Sequence, residues 1–567
     1  MKSNWIIEKE NIKLRDKLSK ALKISPITAQ ILLNRGIKNE TEANLFLNCT
    51  LFDLPSPYLM KGMDIAIERI KKGLHENERI AIYGDYDVDG VTSTALLYNF
   101  LKDINANVTY YNPDRIKEGY GINIDAVKKL SQDGVGLIIS GDCGITAVKE
   151  VEQAKELGVD FIVTDHHKPP QELPKAVSVL NPKLSDCKYP AKEIVGVGVI
   201  FNLVIALRRA LRDEGFFKNG EPNLGDYLDL VALGTVADCA PLLDVNRILV
   251  KEGIKRMQNP KRLGLQALKE ASSIKGEVTS YDLGFKFGPR INASGRMSTA
   301  DNAVKLFISD NLEDAREIAK DLNKQNTDRQ DTEAGIVKEA ISQLESNPEI
   351  IGSNSIVLAS RNWHPGIIGI VASRIAERYE KPTLLIAISE DGVGKGSGRS
   401  VDGVNIYAAL LECRELFLQF GGHEQAAGLS IREEDVDKFR KMFDKALESN
   451  KEPYKQKLNI DCTVELESIS ESLISELDLL APFGIGNPEP LLLSKEVEVI
   501  SQRIFKDNHL GFKVKEGENF YDAIWFNMKQ PTTLPDKIDM VYTPEFNRWN
   551  GKKEIRLRVR DVSWENN

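Results

Sequence analysis

Asp85, Asp87 and Asp89 fall within five residues of one another in Tyr83-Gly84-Asp85-Tyr86-Asp87-Val88-Asp89-Gly90. Carboxylates packed this tightly repel: at roughly 4 Å and an effective dielectric near 20, each like-charged pair costs about 4 kcal/mol. Such a run is either solvated on an acidic turn or shares divalent cations. Three further segments carry metal-ligand residue types directly after an apolar run. Asp142 follows Leu137-Ile138-Ile139-Ser140-Gly141, Asp165-His166-His167 follows Asp160-Phe161-Ile162-Val163-Thr164, and Asp238 follows the apolar stretch 230–237. The chain has only six histidines, and two of them are neighbours here. Repetition of one arrangement in four separated segments favours the cation reading. Carboxylates and imidazoles without a thiolate cluster suit Mn²⁺ or Mg²⁺ better than structural zinc. Two such ions about 3.5–4 Å apart form a phosphoryl-transfer centre, so the pattern points to hydrolysis of a phosphate ester or anhydride.

These residues need a frame that brings them together. Short apolar runs at 79–83, 108–111, 136–140, 160–164, 177–180 and 230–236 read as buried strands, alternating with helical patterns at 91–101, 124–130 and 146–157. That alternation is the signature of a βαβ sheet, in which functional groups collect beyond the carboxyl ends of the strands. If the backbone stays extended through 85–89, all three carboxylates point to one side.

At 567 residues the chain is too long for one core, and three or four domains are expected. With 42% hydrophobic and 28% charged residues it has the composition of an ordinary globular protein. No apolar segment follows the start, and no run approaches about 18 residues, so neither a signal peptide nor a membrane span is expected. The six cysteines lie far apart without a C-x-x-C pair and read as reduced cytoplasmic thiols. A net charge of −9 counts only weakly against nucleic acid, because an acidic metal site and a basic groove can occupy different faces.

Residues 1–50 read as a helical N-terminal extension packed on the first domain, and 51–270 as the parallel-sheet catalytic domain. A connector follows at 271–345, with one apolar stripe on a long helix over 309–347. A second α/β domain spans 346–455: strands at 355–359 and 383–388, helices at 367–379 and 406–417, a Gly/Ser-rich loop at 392–400 and a loop at 420–423. Residues 456–567 carry short alternating runs, including Lys553-Glu554-Ile555-Arg556-Leu557-Arg558-Val559-Arg560, and read as a small all-β barrel.

Asp87-x-Asp89, Asp142, Asp165-His166-His167 and Asp238 resemble the four motifs of the DHH phosphoesterase superfamily. Gly421-Gly422-His423 resembles the signature of its companion DHHA1 domain. Over nearly its whole length the chain is similar to the RecJ family, exonucleases that degrade single-stranded DNA in the 5′→3′ direction. The similarity includes Gly288-Pro289-Arg290-Ile291-Asn292-Ala293-Ser294-Gly295-Arg296, Trp363-His364-Pro365-Gly366-Ile367-Ile368-Gly369 and Pro482-Phe483-Gly484-Ile485-Gly486-Asn487-Pro488. The resemblance implies that Asp87, Asp89, Asp142, His166 and Asp238 hold two divalent ions, Mn²⁺ or Mg²⁺. It gives Asp85 a metal or water-positioning role and lets His167 contact the scissile phosphate or support the ligand shell, with Asp165 orienting an imidazole. It also implies a cytoplasmic monomer in recombination and repair, with single-stranded DNA as substrate, and a RecQ-type helicase and a single-strand-binding protein as partners.

An exonuclease must recognise an end. Arg115 follows the second apolar run and suits a bidentate clamp on a terminal phosphate. Arg290, Asn292 and Arg296 lie in a Gly-flanked loop suited to phosphate contacts. Gly396-Ser397-Gly398-Arg399-Ser400 offers Ser397 and Arg399 as parts of an anion cradle, and His423 a donor to phosphate. In the barrel, identified by resemblance as an OB-fold, alternating arginines would track a phosphate backbone, with Trp525, Phe526, Phe546 and Trp549 as stacking candidates. The alternatives are a phosphodiesterase of the same superfamily acting on oligoribonucleotides or cyclic dinucleotides, and a non-catalytic single-strand-binding scaffold. The barrel and the chain length count against the first, and the complete ligand set against the second.

Overall fold

The computed structural model describes residues 4–113, 118, 121–218, 220–297, 300–448, 457–506, 508–528, 533–549 and 552–564. A short strand, β1 (Asn4–Ile7), and three helices, α1 (Ile12–Leu22), α2 (Pro26–Asn34) and α3 (Glu40–Asn48), come first. Ile31, Leu32, Ala43, Phe46 and Leu47 of these helices are buried in one core with the C-terminal barrel. The expected packing on the first domain is thereby corrected: the extension's apolar face is matched mainly by the other end of the chain.

The parallel-sheet domain follows as α4 (Met63–His75), β2 (Arg79–Gly84), α5 (Val88–Asp103), β3 (Val108–Tyr111), α6 (Ile124–Gln132), β4 (Val135–Gly141), α7 (Val148–Glu156), β5 (Asp160–Thr164) and β6 (Ser178–Leu180). Then come α8 (Gly196–Asp213), α9 (Leu228–Ala237), α10 (Asp244–Gln258) and α11 (Leu263–Ala271). The sheet order is β3-β2-β4-β5-β6, and every pairing is parallel. Gly84 pairs with Gly141, which sets the carboxyl ends of β2 and β4 level.

Two expectations fail here. The chain is not extended through 85–89: the strand stops at Gly84, and Asp87 becomes the N-cap of α5, accepting from the Gly90 N–H at 3.0 Å. The run 230–236 is helix α9, not a strand. Its residues from Leu228 to Thr235 are all buried, so it has no polar face and no period to separate helix from strand.

Helix α12 (Ser280–Asp282), a π-helical turn (Leu283–Phe287) and α13 (Gly288–Met297) follow one another directly, so the loop expected around 288–296 is helical. After α14 (Asp301–Ile308) comes α15 (Leu312–Ser346), 35 residues and so about 50 Å long. Ala315, Ala319 and Leu322 bury its first half in the core of the parallel-sheet domain, and Ile336, Ala340 and Leu344 bury its second half in the next domain. Between them Asn326, Arg329 and Glu333 are buried too. Arg329 pairs with Glu333 at 2.7 Å, and Arg374 of the second domain reaches the same carboxylate at 2.6 Å.

The second domain comprises α16 (Pro348–Gly352), β7 (Ile356–Ser360), α17 (Ile368–Tyr379), β8 (Thr383–Ile388), β9 (Val393–Arg399), α18 (Ile406–Glu412), β10 (Phe417–Gly422), β11 (Ala426–Arg432) and α19 (Val436–Ala446). Its sheet order is β10-β11-β9-β8-β7. The Gly/Ser-rich segment read as a loop is strand β9. Gly394, Gly396 and Gly398 recur every second residue where Cβ atoms would meet Ile386, Leu429 and Ile406 at 2.6–2.8 Å, so glycine here serves close packing.

The last domain has β12 (Lys457–Ile460), β13 (Cys462–Thr463), α20 (Glu471–Asp478), β14 (Leu492–Phe505), β15 (His509–Glu516), β16 (Asn519–Trp525), β17 (Lys537–Trp549) and β18 (Lys552–Ser563). The order β14-β15-β16-β18-β17 closes through β14–β17 pairing into a five-stranded barrel. β12 pairs in parallel with β1. Arg247 of α10 is 1% exposed and joins three parts of the chain. It donates to the carbonyls of Phe46, Leu480 and Leu479 at 2.8–3.2 Å, and its guanidinium lies 3.7 Å over the Phe46 ring. Among the described residues no helix is long and apolar enough to cross a membrane.

Candidate metal centre

The loops leaving β2, β4 and β5 and the C-terminus of α9 converge on one cluster. Level strand ends set Asp85 beside Asp142, and the Asp142 N–H donates to the Thr164 carbonyl at the end of β5. Asp142 has φ +66°, a left-handed backbone that costs energy in an aspartate and aims its carboxylate across the sheet end. Ligand atoms of Asp85, Asp87 and Asp142 lie within 4.8 Å of one another, as do those of Asp89, His166 and Asp238 and those of Asp142, His166 and His167. The groups join where His166 Nε2 stands 3.1 Å from Asp142 Oδ1, 3.8 Å from Asp89 Oδ2 and 3.7 Å from Asp238 Oδ2. Asp142 Oδ1 and His166 Nε2 are buried and make no hydrogen bond within the described residues. Buried polar atoms are rarely left so. Acidic oxygens converging on a neutral imidazole nitrogen form a donor set that fits divalent cations.

The electrostatics agree. Burial, reinforced by Asp238 and Asp87, holds Asp89 well above the usual carboxylate range, and burial with Asp89 and Asp87 does the same to Asp142. Asp238 is pushed up to about 7 by burial and by Asp87. Burial, with His167 nearby, pushes His166 down to about 3, so its imidazole is neutral and available as a ligand. Burial also lowers His167, but the Asp165 hydrogen bond and charge outweigh it and raise this imidazole. Asp165 Oδ1 meets His167 Nδ1 at 2.8 Å and also accepts from the His166 and His167 N–H groups, while its Oδ2 accepts from Ile145 N–H. Asp165 is therefore the residue that orients His167.

The sequence reading missed the supports of this cluster. The first N–H groups of α8, on Gly196 and Val197, donate to the two oxygens of Asp89 at 2.6 and 2.8 Å, a helix N-terminus holding a carboxylate. A Cβ on Gly196 would stand 2.5 Å from Asp142 Cβ. Asn112 donates to the Asp85 carbonyl and Asn181 to that of His167. The legible signal was Val195-Gly196-Val197-Gly198, which opens a helical pattern without any side chain able to cap it.

The remaining predicted residues fall elsewhere. Arg115 lies outside the described residues, as does the side chain of Arg296. Arg290 and Asn292 are on α13; Arg290 donates to Asn323 Oδ1 and the Lys286 carbonyl. Ser397 and Arg399, on β9, face the start of α17, within 2.9 and 3.2 Å of where a Cβ on Gly369 would sit. The exposed His423 just beyond β10 donates its N–H to Ala426, the residue that pairs with Arg399 across the sheet. In the barrel, Arg556 and Arg558 pair with Glu545, and Arg558 also with Glu489, so these two arginines are neutralised rather than presented to a phosphate backbone. Lys553 lies over the Phe546 ring, Trp525 packs against the barrel core, and Phe526 is 40% exposed beside His509. The Trp549 side chain lies outside the described residues.

Comparison with known proteins bears on the same regions. Family models match at 79–235 (DHH family, N-terminal domain), 352–449 (DHHA1 domain) and 460–561 (RecJ OB domain). The single-stranded-DNA-specific exonuclease RecJ of Bacillus subtilis is 37% identical over 571 residues, covering 99% of this chain and 71% of that protein. The crystal structure of RecJ in complex with Mn²⁺ from Thermus thermophilus superposes with a TM-score of 0.86 at 30% identity, covering all of this chain and 80% of that one. Its complex with Mg²⁺ gives 0.79 at 28% identity, over all of this chain and 79% of that one. With three domain types matched in order and similarity along its whole length, the chain belongs to the RecJ family of single-stranded-DNA-specific exonucleases.

Proposed function

We propose that this chain is an exonuclease that needs divalent metal and degrades single-stranded DNA from the 5′ end to mononucleotides, in recombination and repair. The observation that carries the reading is the pair of buried, unbonded atoms Asp142 Oδ1 and His166 Nε2 inside a ring of carboxylates. Asp87, Asp89, Asp142, His166 and Asp238 would hold two Mn²⁺ or Mg²⁺ ions. Bound there, such ions supply Lewis acidity for attack on phosphorus and offset the charge that develops on the phosphate.

The chain's own residues do the rest. His167, whose protonated form the Asp165 hydrogen bond favours, donates from its other ring nitrogen to a non-bridging phosphate oxygen. Asp85 orients the attacking water. Ser397 and Arg399, beside the N-terminus of α17, take the terminal 5′-phosphate together with Arg115. Arg290, Asn292, Arg296 and His423 contact phosphates further along the strand, and the barrel holds the strand beyond them. The chain acts as a monomer in the cytoplasm, on strands opened by a RecQ-type helicase and covered by a single-strand-binding protein. A phosphodiesterase for oligoribonucleotides or cyclic dinucleotides would have no use for the barrel.

The test is incubation with 5′- and 3′-labelled single strands of DNA and RNA in Mn²⁺, with products sized over time. Release of 5′-labelled mononucleotide first, from DNA, is expected; shortening from the 3′ end, or no cleavage, overturns the reading. Asp142→Ala should abolish hydrolysis and leave DNA binding largely intact, and full turnover by that variant in saturating Mn²⁺ would remove Asp142 from the site.

A further inference from the structure

Two large aromatic side chains stand in solvent on a helix whose far end reaches the metal centre. Tyr281 is 62% exposed and Phe285 69% exposed, and their rings stack with centroids 4.8 Å apart and planes 26° from parallel. They sit on the helix running from α12 through the π-helical turn into α13, anchored on its other side by Leu283, Phe287 and Ile291, all at most 1% exposed. π-Helical turns recur at functional sites, because one extra residue per turn re-aims the side chains that follow.

The position of the pair argues what it is for. At its outer end, Ser280 Oγ donates to the Phe483 carbonyl of the C-terminal domain at 2.6 Å. In the middle, Cβ atoms on Gly284 and Gly288 would lie 3.6 and 3.5 Å from Val236 and Ala237, the last residues of α9 before Asp238. At the inner end Gly295 abuts the Tyr86 backbone, between Asp85 and Asp87. From Phe285 to Gly295 is ten residues, about 15 Å of helix. The rings thus lie on the flank joining the nucleic-acid-binding barrel to the reacting centre. Cations accompany them: Lys286 is paired with Asp282, whereas Arg290 forms no ion pair among the described residues.

We propose that Tyr281 and Phe285 are a stacking platform for unpaired nucleobases of the strand crossing from the barrel to the metal centre, with Arg290 against the adjoining phosphate. The proposal rests on the nuclease reading above and adds to it the place where the incoming strand is gripped. Every base has a π face, so such a platform is indifferent to sequence, and a paired base in a duplex cannot occupy it.

The experiment uses the full chain carrying Asp142→Ala and single-stranded DNA in which one abasic nucleotide is moved stepwise from the 5′ end. Adding Tyr281→Ala and Phe285→Ala should weaken binding of the intact strand roughly tenfold or more. One or two abasic positions should weaken the Asp142→Ala chain by a similar factor and have no further effect once the rings are gone, as expected for partners that touch. Tyr281→Phe with Phe285→Trp should restore both affinity and sensitivity to the abasic site. A flat abasic series, or equal affinity with and without the rings, overturns the platform and leaves the pair as a contact for another protein. Failure of the unaltered chain to hydrolyse single strands would instead sink the nuclease reading, and the platform with it.

Discussion

His167 has its protonation favoured chiefly by one neighbour, with Asp238 and Asp87 adding to it. Burial pushes it down, and Asp165 more than offsets that. A group held protonated works at low and neutral pH and fails as pH rises through its raised value. In Asp165→Asn the alkaline limb of the pH–rate profile should therefore move to lower pH, with kcat down roughly tenfold or more. An unmoved limb would show that His167 does not act as a cation. The carboxylates have the opposite bias. Without metal, Asp89, Asp142 and Asp238 keep protons that the unfolded chain releases above pH of about 4. Their burial therefore destabilises the metal-free fold increasingly as pH climbs from there through about 7, the value for Asp238. Divalent metal displaces those protons. The rise in Tm on adding Mn²⁺ should be larger at pH 8 than at pH 6, and calorimetry in buffers of different ionisation enthalpy should detect protons released on binding.

At the scale of elements, α8 supports the centre without supplying a ligand. Gly196→Ala would push against Asp142 and disturb the two N–H groups on Asp89. Its Mn²⁺ dissociation constant should rise roughly 10–100-fold, measured by calorimetry on the whole chain. Such supports were hard to read, because a backbone N–H leaves no mark in a sequence. Side chains of ligand type do leave one: Asp142, His166 and Asp238 stood out as acids and imidazoles directly after apolar runs, whatever the run folded into. That is why Asp238 was legible although α9 was mistaken for a strand, since a segment buried on all sides carries no period. The Asp85–Asp89 run gave candidate ligands that the fold brings together, but the wrong backbone, because an aspartate that caps a helix and one that extends a strand look alike until the cap partner is seen. In β9 the composition of a loop hid a strand whose glycines are there for packing. The arginine ladder of β18 was legible as a strand but not as an ion-pair network, because Glu545 and Glu489 come from other segments.

At the scale of the whole molecule, buried polar contacts reinforce the apolar packing between cores. Glu333, 1% exposed, receives Arg329 and Arg374 at the point where α15 passes from one lobe to the other. Glu333→Ala leaves Arg329 buried without its carboxylate and should cost about 3–5 kcal/mol, read from urea denaturation. A variant as stable as the parent would show the ion pair to be dispensable. Glu333→Gln should lose less, because it retains an acceptor.

The parallel pairing of β1 with β12 joins residues about 450 positions apart in sequence, Asn4 with Lys457. A ribosome adding roughly 5–20 residues per second makes the first of these strands tens of seconds before the second. Throughout that interval the apolar faces of the first three helices have no barrel to lie against. The first three helices must stay soluble unaided, or be sheltered by a chaperone, until the barrel strands have been made.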